Sequence, residues 1–116
     1  MKILIYSEEE YPKKHIQLII QQLSKDIENQ ISFRSGKYLL KTQLEKFDVY
    51  VFVIYHLEIL KQLKEKVKNG NQVVVVTENT DVNFILTCID YTKNLIYLKS
   101  PVSRIVQKIL SIHDKK

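Results

Sequence analysis

Glycine and proline are scarce in this chain: two of each stand among 116 residues, with one cysteine and no tryptophan. So few turn formers leave no room for a long flexible linker or a low-complexity tract. No glycine-rich phosphate cradle of the G-x-G-x-x-G or Walker A kind is written here, which weakens a flavin- or nucleotide-binding reading. The lone Cys88 cannot form an internal disulfide, and a reducing, cytoplasmic setting fits that best. Long apolar runs are missing as well. The longest, around residues 49–54, falls far below the roughly 20 residues that a membrane span needs. The opening "MKILIY" passes at once into "SEEE", so no signal peptide is expected. Charge of one sign is also lacking: 18 basic residues face 13 acidic ones, a net +5. The lysines after Glu58 are interleaved with Glu65, as on a solvated helix face. Charge alone does not make this chain a nucleic-acid binder.

What is present suits one domain, residues 1–116, with 45% apolar residues and a supply of seven tyrosines and four phenylalanines for its core. Strand and helix patterns alternate. "KILIY" (Lys2 to Tyr6) reads as a first strand. Pro12 suits a first helical turn, and Glu8, Glu9 and Glu10 lie on the side that a helix dipole favours. Ile16, Ile19, Ile20, Leu23 and Ile27 form one helical stripe. "ISF" (Ile31 to Phe33) is a second strand, and Leu39, Leu40 and Leu44 predict a short helix within residues 36–46. "FDVYVFVIY" is a third strand buried on both faces. Leu57, Leu60, Leu63, Lys64 and Val67 predict the next helix, with Gly70 as its stop. "QVVVVT" is a fourth covered strand. Asn79 or Thr80 is the expected cap of a helix bearing Val82, Ile85, Leu86 and Ile89. "LIYL" is a fifth strand, and Ser100–Pro101 opens a last helix with Val102, Ile105, Val106, Ile109 and Ile112.

Five strands alternating with five helices imply an α/β fold, a parallel sheet with right-handed crossovers. At this length the compact solution is a doubly wound, three-layer sandwich of strand order 2-1-3-4-5, flavodoxin-like or CheY-like. Its functional crevice lies where strands 1 and 3 end. That crevice would be lined by "SEEE" and by "VIYH", and strand 3 ends there with no carboxylate and no thiol.

With those residues in place, the whole chain resembles a response-regulator receiver domain. Such receivers carry an acidic pair after strand 1, a phosphoryl-accepting aspartate ending strand 3, a Ser/Thr ending strand 4 and a lysine ending strand 5. By this resemblance the acidic pair falls on Ser7 and Glu8, the acceptor position on Val53, the hydroxyl on Thr77 and the lysine on Lys99. Thr77 and Lys99 match, although the usual Lys-Pro reads "KSP" with Ser100 inserted. The aromatic switch position falls on Ile96, with Tyr97 one place out of step. Valine has no atom that attacks phosphorus, so the resemblance implies a degenerate pseudo-receiver: fold kept, phosphorylation lost. Lys99 is then expected to pair with Glu8 or Glu9.

Partner binding is expected on the face that receivers commonly use, helix 4, strand 5 and helix 5 in the five-helix count. Its candidates are Phe84, Cys88, Tyr91, Tyr97, Arg104 and Lys108, serving a homodimer or a protein partner. The spacing resembles receivers attached to LytTR-type DNA-binding domains, so DNA contact is expected only through an output domain beyond Lys116, and a stand-alone adaptor is the alternative. No cofactor, membrane contact or enzymatic activity is expected. For a metal, Glu8 and Glu9 are weak candidates, because Mg²⁺ demands near-octahedral hard oxygen ligands. A small phosphocarrier of the sugar-transport type is a further alternative, but it would need a reactive cysteine where Ser7 stands and an anion cradle where three carboxylates stand. His56 is read as a loop histidine without an acid–base partner, His15 and His113 as helix-surface residues, and Cys88 as a buried small hydrophobe.

Overall fold

The computed structural model describes residues 1–9, 14–40, 42, 44 and 46–114, with the side chains of all these but 113 and 114. Strands β1 (Lys2–Ser7), β2 (Gln30–Ser35), β3 (Val49–Val53), β4 (Val73–Thr77) and β5 (Leu95–Tyr97) alternate with helices α1 (Lys14–Leu23), α2 (Leu57–Lys66), α3 (Val82–Tyr91) and α4 (Val102–Asp114). The strands form one sheet in the order β2-β1-β3-β4-β5, all parallel, as expected.

The two periodicities of strand and helix divide the core in two. Side chains alternate across a strand, so Ile3, Ile5, Val49, Val51, Val53, Val74 and Val76 point to one face. There they meet Ile16, Ile19 and Leu23 of α1 and Ile105, Val106, Ile109 and Ile112 of α4. Leu4, Tyr6, Tyr50, Phe52, Ile54, Val73 and Val75 point to the other, against Ile59, Leu60 and Leu63 of α2 and Phe84 and Cys88 of α3. Strands covered on both faces need no polar alternation, which is why β3 and β4 are buried at every position.

Several elements depart from expectation. No α-helix lies between β2 and β3 among the described residues. Leu39 and Leu44 are buried one by one against the α2–α3 side, and the backbone of Leu39 is satisfied from outside. Its N–H donates to Gln62 Oε1 at 3.0 Å and its carbonyl accepts from Lys66 Nζ. Helix α1 stops at Leu23, because Ser24 Oγ donates to the Ile20 carbonyl at 2.8 Å and Asn29 Nδ2 to that of Leu23 at 3.0 Å. Ile27 therefore leaves the predicted stripe and is 94% exposed. Glu10 and Pro12 lie outside the described residues.

The cap of α3 is Asp81, whose Oδ1 accepts from the N–H groups of Asn83 and Phe84 at 2.9 and 3.3 Å; Asn79 precedes it as an Asx turn onto Asp81 N–H at 2.7 Å. Gly70 does not end α2, which closes at Lys66 with Val67 N–H on the Leu63 carbonyl. It opens a 3-10 turn, Gly70–Gln72, and a Cβ there would stand 2.0 Å from the Tyr91 carbonyl oxygen, so only glycine fits that approach.

Candidate functional site

Parallel register decides which residues share the C-terminal edge of the sheet. Ser7 pairs with Ser35 on one side and Val53 on the other, Val53 pairs with Val76, and Thr77 pairs with Tyr97. Four of the five expected crevice residues, Ser7, Glu8, Val53 and Thr77, thus cluster at this edge, with Lys99 just beyond β5. Val53 is fully buried. Ser7 Oγ accepts the Glu9 N–H at 3.2 Å, and the Ser7 carbonyl accepts the Gly36 N–H at 3.1 Å. Gly36 holds φ at +140°, and an added Cβ would stand 3.3 Å from the Tyr6 hydroxyl. That hydroxyl lies 3.0 Å from the carbonyls of Gly36 and of Tyr38, and burial raises its pKa, which suits a standing donor.

Glu8 is the surprise of the site. Its side chain is only 4% exposed and faces the loop that joins β3 to α2. Oε1 accepts from the N–H groups of Tyr55 and of His56, the latter at 3.0 Å, and Oε2 meets Nδ1 of His56. A carboxylate only accepts, so Nδ1 carries a proton in this contact whatever the charge of the ring. His56 is the N-cap of α2 and makes no cap bond with its own side chain. Glu8, the residue after β1, thus binds the amides of the N-cap and of the residue before it, at a helix start where the dipole favours an anion. Hydrogen bonds to an ionised group contribute about 1.5–3 kcal/mol each, and without them a buried carboxylate would be strongly unfavourable. The expected Lys99–Glu8 pair is thus corrected: amides and an imidazole offer Glu8 more donors than one lysine at the far side of the crevice.

Thr77 is fully buried, and its hydroxyl accepts the Asn79 N–H at 3.0 Å. Asn79 in turn donates from Nδ2 to the Tyr55 carbonyl at 2.6 Å, tying the loop after β4 to the loop after β3. Thr77 and Lys99 line a cleft of about 340 Å³ with Glu78, Thr80 and Tyr97. Glu8 and His56 line another, of about 190 Å³, with Lys37, Tyr38, Glu58, Ile59 and Gln62. The two clefts share no residue, so the expected single pocket is divided into two. Among the described residues no group of three or more His, Cys, Asp or Glu side chains could hold a metal ion, and Glu8 would have to give up its amides to serve one.

The candidate interface also divides. Phe84 and Cys88 are fully buried against β3, β4 and α2, so both leave the candidate interface, Cys88 being the buried small hydrophobe expected. Tyr91 is half-buried with its hydroxyl on the Val67 carbonyl, and Lys108 is half-buried beside Asn69, Asn94 and Ile112. Tyr97 and Arg104 are exposed. The residues missed from sequence lie on α3: Val82, Leu86 and Ile89 stand in the open, one turn apart along one face. Their i, i+4, i+7 spacing was visible, but the burying face uses Phe84 and Cys88 instead. His15 is not a free surface residue either, since its Nε2 lies 3.1 Å from the Ser100 carbonyl and links α1 to the start of α4.

No protein-family model and no curated protein matches the sequence. Solved structures do. A signal receiver domain of two-component signal transduction (histidine kinase) from Clostridium thermocellum superposes with a TM-score of 0.69 at 14% identity, over 97% of this chain and 96% of that one. A Francisella response-regulator receiver domain gives 0.66 at 12%, over 98% and 97%. Oxidised flavodoxin 2 from Bacillus cereus gives 0.63 at 12%, over the full length of both chains. The class is therefore defined at the level of fold: a doubly wound, CheY-like or flavodoxin-like sheet, with receiver domains of two-component response regulators among its structural neighbours. Identities this low carry the architecture and not the chemistry.

Proposed function

We propose that this chain is a degenerate receiver domain that works as a phosphorylation-independent protein-interaction module, pairing with a second copy or another protein through α3, β5 and α4. The observation that carries this reading is Val53, buried at the end of β3 where the receiver resemblance expects the phosphoryl acceptor. An isopropyl group offers no lone pair to phosphorus and no oxygen to a cation, so the covalent step is lost with that side chain. The nearest buried carboxylate, Glu8, is committed to the α2 N-terminus. A non-catalytic, cytoplasmic role follows in this reading, with neither cofactor nor resident metal.

The exposed Val82, Leu86 and Ile89 on α3, together with the exposed Tyr97 on β5 and Arg104 on α4, support the α3–β5–α4 face as the contact surface. Apolar side chains grouped on one helix face and rimmed by polar residues are what an association surface displays. The resemblance to receivers that carry LytTR-type DNA-binding domains makes a transcription regulator the parent we favour, with DNA contact left to that other domain; a stand-alone adaptor is the second reading. The test is a ¹H–¹⁵N titration with Mg²⁺ and beryllofluoride, a mimic of the acyl phosphate. Unchanged peaks for residues 7–9, 53–56, 77 and 99 are expected. Saturable shifts at those positions would overturn the proposal.

A further inference from the structure

We infer that Glu8 is a built-in latch: its carboxylate occupies the amides at the crevice edge and holds the loop between β3 and α2 in one closed arrangement. Three donors from a distant part of the chain converge on this one side chain: the N–H groups of Tyr55 and His56 and the imidazole Nδ1 of His56. The carboxylate is all but sealed from water, whereas the imidazole above it is 74% exposed and forms its outer cover. The latch is supported from both sides. Glu8 N–H donates to the Val53 carbonyl at 3.1 Å, fixing the root of the side chain, and Asn79 Nδ2 holds the Tyr55 carbonyl at 2.6 Å, fixing the loop that receives it.

A side chain tethered in this way competes at high effective concentration, so a free anion reaching the same amides is displaced. The loop amides are taken by the chain's own charge. This inference deepens the reading above by giving the silent crevice a cause, and it rests on the Glu8 geometry, not on the interface.

The experiment is amide hydrogen exchange at Tyr55 and His56 in the whole chain, with acetate as the probe. In the native protein both amides exchange slowly, and acetate leaves them unchanged. In Glu8→Ala both exchange at least about tenfold faster, while amides in the middle of β3 keep their rates, and acetate slows the two again by filling the vacated space. Slow exchange persisting in Glu8→Ala overturns the latch, as does a general acceleration across the sheet or a failure of acetate to restore protection. If Glu8→Ala does not fold, Glu8→Gln carries the test. It keeps an acceptor oxygen but loses the charge, so both amides should exchange about threefold faster or more, charge-assisted bonds being roughly twice as strong as neutral ones. Unchanged rates in Glu8→Gln would then overturn the inference. Failure here leaves the beryllofluoride outcome standing, so the two readings are separable.

Discussion

Cys88 illustrates how burial alone can set the chemistry of a side chain. It lies with no exposed surface between α3 and the sheet, beside Phe84 and the β4 valines, and loss of water pushes its thiol up to about 11 from an ordinary 9.0. Tyr91, a turn further on, is raised too, first by burial and then by the neighbouring Cys88 and Tyr50. Both groups hold their proton more tightly folded than unfolded. Their contribution to stability is therefore complete below about pH 9 and is lost as pH climbs through the folded thiol value of about 11. Denaturant midpoints should be flat up to about pH 9 and fall beyond it, with a shallower fall in Cys88→Ala. In the native state at neutral pH the thiol should resist a disulfide reagent that labels it at once in denaturant. Equal labelling in both states would contradict the burial described for it.

At the scale of elements, the interior strands and all four described helices could be read from the chain because their signals are local. The runs "VYVFV" and "VVVVT" are apolar without a break, and α2, α3 and α4 each show an apolar stripe at helical spacing. What could not be read depends on partners far along the chain. Leu39 and Leu44 suggest a helix, but the backbone of Leu39 is held by Gln62 and Lys66 of α2, which no local window contains. The same holds at the site. Glu8 and His56 looked unrelated in sequence, and only the β1–β3 register, Ser7 beside Val53, brings the residues that follow them into contact. The α3 cap was misplaced by one or two residues because Asn79, Thr80 and Asp81 can all cap; two backbone N–H groups on Asp81 Oδ1 decide it. Asp81→Ala should therefore lower stability by about 1 kcal/mol, read as a shift in chemical denaturation at constant slope, whereas Thr80→Ala should change little.

The whole molecule presents two unlike regions. At the edge formed by the C-terminal ends of the strands, Val53 is buried where an acceptor would stand and Glu8 is turned onto the loop before α2. The α3–β5–α4 side is open, with Leu86 61% exposed in the middle of α3 on the face opposite Phe84 and Cys88. An uncovered apolar face is what the proposed binding module requires, and the net charge of +5 adds only a mild pull on acidic partners. The most direct check is sedimentation equilibrium of the native chain and of Leu86→Glu, each with and without acetyl phosphate and Mg²⁺. The native chain should self-associate with a constant that the phosphodonor leaves unchanged, and Leu86→Glu should weaken it about tenfold or more, the loss of roughly 1.4 kcal/mol. Association that tightens with acetyl phosphate, or that Leu86→Glu leaves unchanged, would contradict the account.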